Sequence, residues 1–232
     1  MVVDYYNFPI ALLQGFLVEP QRCLNDILSF SSIAVCGDEK NWKFFRANAE
    51  SLLGVSFPDV GEAWKRGKAI FFKYYGIGAP IPFTGIKRET YWEYRSTEKS
   101  DLEMAILLAY LAYKSIVREQ GYFCCSDNYL LARMDGRAKA VKSLDELSPE
   151  IQHFGSRWYL AQIRGALKDW HVFIYSARGL HGVFVSFTLP LEKLALIAEG
   201  KKHETTARAR VEAYNQRMAM ARAIAKGQKK PP

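Results

Sequence analysis

Cysteine and histidine are scarce in this sequence, with four of each. The cysteines are Cys23, Cys36, Cys124 and Cys125, and no two of them form a C-x-x-C pair. With so few histidines they complete no convincing zinc ligand set. A reduced, intracellular protein without metal or cofactor is expected. The vicinal Cys124 and Cys125 read as a buried apolar pair ahead of a helix.

Long hydrophobic runs are also missing. The longest, AILLAYLAY at 105–113, falls well short of the roughly 20 residues that span a bilayer as a helix. The first residues carry an acid and no basic cluster, so they do not read as a secretory signal. The expected location is the cytoplasm, with no membrane contact.

Motifs of enzyme chemistry are absent too. The chain has no Walker loop, no dinucleotide glycine pattern, no HExxH and no GxSxG. Gly76 and Gly78 sit among prolines rather than between a strand and a helix. The carboxylate pairs Asp59/Glu62 and Glu98/Asp101 could each share a helix face, but a nuclease needs a denser acidic cluster for its metals. Neither Cys124 nor Cys125 has a base nearby in sequence, and His153 and His171 have no assignable partner. No internal repeat is detectable. A non-catalytic protein is expected.

What is present is apolar bulk. The chain has 232 residues, of which 49% are hydrophobic, enough for one large or two small packed units. The net charge of +8 is unevenly placed. Lys plus Arg nearly balance Asp plus Glu through residue 200, but residues 201–232 carry nine basic against two acidic side chains. A tail of that sign suits nucleic acid or another acidic surface, or serves only as a soluble terminus.

Periodicity predicts mainly helices. The segment around FPIALLQGF reads as a short strand or helix, and Pro20 starts a helix through LNDILSF. Trp42, Phe45, Ala49 and Leu52 or Leu53 recur at helical spacing in 41–53. Asp59 caps a segment reaching Tyr75. The glycines and prolines of YYGIGAPIPFTG at 74–85 mark a boundary, and IKRETYWEYR at 86–95 reads as a strand.

A long helix, apolar on most faces, follows from Asp101 to about Glu119. Tyr122 and Phe123 suggest a brief strand, and Ser126 caps DNYLLARM, which Gly136 stops. Residues 137–155 are irregular, with a short helix starting at Pro149. Ser156 caps a helix whose apolar face is Tyr159, Ile163, Leu167 and Trp170, and Gly165 costs it about 1 kcal/mol relative to Ala. Residues 172–175 and 183–187 read as a hairpin joined by SARGLHG. Pro190 leads into a helix through Ala198, and the tail beyond Gly200 has one apolar face of Val211, Tyr214, Met218 and Ala221.

The order helix, short strand, helix, insert, helix, strand, loop, strand over 101–188 resembles a winged-helix DNA-binding domain. The resemblance covers about 90 residues and rests on pattern rather than on a motif. It implies that 156–170 is the recognition helix and 172–187 the wing pair. The insert is longer than the turn of an ordinary helix-turn-helix, so either that turn is elaborated or the second helix is another segment. The expected fold class is mainly α with a small β-hairpin. A winged helix-turn-helix-like unit at 86–200 joins an N-terminal mainly helical unit at 1–85 and a basic, helical or flexible tail at 201–232.

The residues themselves supply a physical case. With the apolar face on the core, Arg157, Gln162, Arg164 and Lys168 are the candidates for base edges or phosphates. Ser156 and the first amides of that helix are placed for a phosphate. Arg178 at the hairpin tip suits phosphate or a narrow minor groove, with His181 beside it. Lys139 and Lys142 flank the insert. Lys201, Lys202, Arg208, Arg210, Arg217, Arg222 and Lys226 would add salt-sensitive attachment.

The function expected is DNA binding without catalysis, sequence-specific or not, as in transcription regulation or in DNA replication or partition of a phage or plasmid. The N-terminal unit would supply homodimerisation or a partner contact. The competing expectation is a structural or adaptor protein that uses the same helix and hairpin as a protein–protein interface.

Overall fold

The computed structural model describes residues 3–36, 42–54, 56–75, 81–117, 121–176 and 181–225. It is mainly helical with two small antiparallel sheets.

The first sheet joins distant parts of the chain. Strand β1 (Tyr5–Pro9) pairs antiparallel with β2 (Phe83–Lys87), from Tyr5 opposite Lys87 to Pro9 opposite Phe83. In β1, Tyr6 and Phe8 are buried while Asn7 between them is exposed, which is the two-residue period of a half-buried strand. Pro9 is tolerated because it ends the strand. A short 3-10 turn, Ile10–Leu13, leads on to helix α1 (Pro20–Cys36). Proline suits the first position of a helix because its amide would have no helical partner there.

Helices α2 (Trp42–Leu53) and α3 (Val60–Tyr75) pack beside α1. Asp59 caps α3, its Oδ1 accepting from the Glu62 amide at 2.9 Å. The α1–α3 crossing is set by Gly67. A Cβ there would stand 2.2 Å from the Ser29 carbonyl oxygen, so only glycine allows the backbones this close.

The expected strand at 86–95 is instead the end of β2 followed by helix α4 (Arg88–Ser96). Its pairing partner runs out: Arg88 still donates to the Asp4 carbonyl, but Val3 turns away to the Leu52 carbonyl. Tyr91 and Tyr94, three apart, then reach the core together. Their hydroxyls donate to the carbonyls of Leu24 and Glu103, each at 3.1 Å.

Helix α5 (Asp101–Ile116) runs through the centre. Ser100 and Glu103 form a reciprocal capping box at its start. One continuous apolar cluster surrounds it, from Tyr6 and Phe8 in β1 to Val183 and Val185 near the other end of the chain. The Thr84 hydroxyl in β2 donates to the Leu111 carbonyl at 2.8 Å, so the segment around residue 85 is tied directly to α5.

The second sheet has the order β3 (Tyr122–Cys125), β5 (Val183–Ser186), β4 (Phe173–Tyr175), all antiparallel. Between β3 and β4 lie α6 (Asp127–Met134), a 3-10 turn at Leu144–Glu146, α7 (Pro149–His153) and α8 (Arg157–Ala166). The expected caps are in place: the Ser126 and Ser156 hydroxyls accept from the Tyr129 and Tyr159 amides. Gly136 ends α6 with φ +74°. Cys125 is buried but Cys124 is exposed. The expected buried pair is therefore split, because neighbours on a strand face opposite ways.

Helix α9 (Leu191–Ala225) begins on the sheet, where Leu194 and Ala198 pack against Phe184. The Tyr175 hydroxyl bonds Glu199 at 3.2 Å. The core helix expected to end near Ala198 and the tail as far as Ala225 are one unbroken helix, and residues 226–232 lie outside the described residues.

Candidate nucleic-acid interface

The site builds from α8. Its inner side is fixed by Leu160, Ile163 and Leu167, all buried, with Tyr159 and Trp170 half-buried against the same core. Trp170 packs at a tilt on Tyr110 of α5 with ring centroids 5.0 Å apart. At 3.6 residues per turn the opposite side must then carry Arg157, Ala161 and Gly165, with Trp158 beside them, while Lys168 follows in the turn past Ala166, where the helix expected to reach residue 170 ends. All five are exposed, and Trp158 keeps 61% of its surface in solvent.

The insert at 137–155 leaves this face open. Its apolar residues Leu147, Ile151 and Phe154 turn into the core. Phe154 and His153 pack on Tyr159 at ring distances of 5.1 and 4.6 Å, and His153 Nε2 shares a hydrogen bond with the Tyr159 hydroxyl at 2.8 Å. The insert therefore supports the flank of α8 rather than covering its outer side.

The candidate cations divide into two groups. Arg157 and Lys168 are exposed, and among the described residues neither has an ion-pair partner. Arg164 points the other way. It is half-buried and ion-paired with Asp127 in the first turn of α6, and its guanidinium lies beside the Tyr113 hydroxyl, which burial pushes up to about 12. Arg164 thus joins α8 to α6 and α5 and does not share the open face. Gln162 is half-buried on the flank. The Ser156 hydroxyl is already engaged as the helix cap.

Other candidates are scattered. Lys139 and Lys142 are exposed in the insert. His181 is exposed two residues before β5, and its carbonyl accepts from the Cys124 thiol at 3.8 Å. Arg178 lies outside the described residues. Lys201 and Lys202 pair with Glu204 and Glu199 on their own helix at 3.4 and 3.2 Å, which is weak pairing at an exposed position. Arg208 and Arg210 are exposed farther along α9; Lys226 lies outside the described residues.

Sequence reasoning missed Trp158, Ala161 and Gly165. The signal was there: once Tyr159, Ile163 and Leu167 are assigned to the core, the helical angle puts these three outside. Gly165 read only as a weakness of the helix, but a Cβ at that position would meet nothing within 4 Å. Together Ala161 and Gly165 make a shallow strip, with Arg157 at the start of α8 and Lys168 just past its end flanking it and the Trp158 ring at its side.

Cys125 has its thiol pushed up to about 12 by burial, which keeps it protonated and unreactive. Among the described residues no group of three or more His, Cys, Asp or Glu side chains could hold a metal ion, and no helix is long and apolar enough to cross a membrane. No protein-family model, no curated protein and no solved structure matches this chain.

Proposed function

We propose that this protein binds duplex DNA without catalysis, through a winged-helix-like unit in which α8 enters the major groove. The observation that carries this reading is the open outer face of α8, where Arg157 at its start and Lys168 just past its end flank the strip of Ala161 and Gly165. Small residues let a helix backbone approach the groove floor, and the two cations reach base edges or phosphates on either side. The order α5, β3, α6, α8, β4, β5, with β3 added to the edge of the β4–β5 pair, supports the same reading. It braces α8 and the strands of the hairpin on one core.

Trp158 extends the proposal. An indole this exposed on a rigid helix can lie against a sugar or a thymine methyl, and its fluorescence would report the contact. It also favours the second reading, an adaptor that docks protein on this face, because exposed tryptophans are frequent anchors of protein interfaces. A role in transcription control or in replication or partition of a phage or plasmid follows only from the DNA-binding reading and is proposed with it.

The test is a titration with mixed-sequence duplex DNA across salt, for the wild type, the double variant Arg157→Ala/Lys168→Ala and a chain truncated after Gly200. The expected result is salt-sensitive binding that weakens about tenfold or more in the double variant, with a smaller loss on truncation. Failure of the folded wild type to bind any duplex at low salt would overturn the proposal and leave the adaptor reading. Loss only on truncation would assign the attachment to α9 and remove α8 from it.

A further inference from the structure

We infer that the far half of α9 is a docking helix for an acidic amphipathic helix of another protein. From His203 to Met220 every residue of α9 is exposed, so among the described residues none of this part of the helix is buried against the rest of the chain. Along it Ala207, Val211, Tyr214 and Met218 recur in alternating steps of four and three. That is the spacing of a coiled-coil seam, which keeps apolar side chains on one line facing a partner helix. Val211 and Tyr214 expose 60% and 62% of their surface and Met218 39%.

Helix propensity does not account for that line. The surrounding Ala and Arg residues are strong helix formers, whereas Val and Tyr are poorer ones. Their cost is offset only if something covers them. In the heptad, Arg208 follows one seam position, and Arg210 and Arg217 precede two others. Arginine therefore borders the seam on both sides, and no acidic residue stands at a flanking position from His203 to Met220: Glu212 lies outside them, and Glu204 stands on the seam line one step before Ala207.

This border decides the occupant. A second copy of the chain offers only His203, Arg208, Arg210, Asn215 and Arg217 at its flanking positions, so it brings no opposite charge to these arginines. A helix with its own apolar line and Glu or Asp at the flanking positions complements both features at once. A duplex could use the arginines but would leave Val211, Tyr214 and Met218 uncovered. The inference is independent of what α8 binds. Where α8 does bind DNA, Arg208 and Arg210 cannot serve a duplex and an acidic helix together, so the two ligands should compete for α9.

The test uses the full chain and a labelled synthetic peptide of three heptads, with Leu at the seam and Glu at the flanks, read by fluorescence anisotropy. A matched peptide with Lys at the flanks is the control. Saturable binding of the Glu peptide is expected, at least about tenfold tighter than the Lys peptide. That binding should weaken by a similar factor in Val211→Ala/Tyr214→Ala and in Arg208→Glu/Arg217→Glu. No binding, or equal binding of both peptides, overturns the inference. So does a dimer in sedimentation velocity that Val211→Asp/Tyr214→Asp dissolves, because the occupant is then a second copy. Binding to phosphatidylserine vesicles that outcompetes the Glu peptide overturns it in favour of a membrane surface. Circular dichroism of each variant separates lost docking from lost helix.

Discussion

Arg164 on α8 is ion-paired with Asp127 in the first turn of α6, across 37 positions of sequence. The pair ties α8 to α6 on the side away from the outer face of α8. Asp127 gains twice there, from the guanidinium and from the positive end of its own helix. The Arg164 side chain is the less exposed partner, at 21%, so removing Asp127 leaves a poorly solvated charge behind.

Arg164 and Arg157 should therefore separate by phenotype. Arg164→Ala is expected to lower folding stability by about 1–3 kcal/mol, measured by urea unfolding, while the remaining folded protein keeps most of its DNA affinity at low temperature. Arg157→Ala should shift the unfolding midpoint little and weaken DNA binding. If Arg164→Ala leaves stability intact and abolishes binding, the assignment of the two arginines is reversed.

Two glycines in helices carry opposite predictions. Gly67→Ala forces a Cβ onto the Ser29 carbonyl, 2.2 Å away, so α1 and α3 must separate at a cost of about 3 kcal/mol. Gly165→Ala meets nothing and improves helix propensity, which should raise stability by about 1 kcal/mol. On a groove-reading helix the added methyl would stand between backbone and base edges, so DNA affinity should fall as stability rises. Thermal melts and a duplex titration on the same samples check both. A Gly165→Ala variant that gains stability and keeps full affinity would remove the close approach from the mechanism.

These contrasts mark what could be read in the residues. The caps Ser126, Ser156 and Asp59 were legible because capping needs only a side-chain oxygen and amides two or three residues on. The order of helix, strand and hairpin after residue 101 followed from periodicity alone. Helix α4 was not legible: IKRETYWEYR has the aromatic density of a strand, and only the end of the partner strand at Val3 decides against one. The role of Arg164 was not legible either, because its partner is distant in sequence, so it looked the same as Arg157. Trp158 could have been found from the helical angle but stood beside Tyr159, whose core role drew the attention.

A pH effect is expected from Lys114. Its ammonium lies 2.9 Å from the Gly85 carbonyl and 3.9 Å from the centre of the Tyr5 ring. Burial nonetheless dominates, with the Lys87 charge adding to it, and holds the group down at about 8. Below pH 8 both folded and unfolded chains carry the proton, and the cost of the partly buried charge is fully present. Between pH 8 and the ordinary lysine value near 10.5, the unfolded chain binds more protons, so stability should rise with pH across that window. Chemical denaturation at pH 7, 8.5 and 10 should show this component in the wild type and its loss in Lys114→Met. That variant should also be the more stable of the two at pH 7. A wild type whose difference from Lys114→Met stays constant across the window would show that the carbonyl and the Tyr5 ring fully compensate burial.

Trp158 gives the most direct reading of the α8 face. With 61% of its surface in solvent, Trp158→Ala should change stability by less than about 0.5 kcal/mol, as surface substitutions do. If α8 lies in the groove, the same change should weaken duplex binding several-fold, on the order of 1 kcal/mol. Its indole emission should also quench when DNA is added, a signal to be isolated by difference against Trp158→Phe because the chain has five tryptophans. Quenching by DNA that survives in Trp158→Phe would place the contact at another tryptophan and away from this face. Quenching confined to Trp158, together with loss of affinity in Arg157→Ala/Lys168→Ala, would make the indole and the two cations one surface. The packing of Tyr159, Ile163 and Leu167 on the core is what would allow that surface to act as a unit, since among the described residues none of the three outward side chains is held by another element.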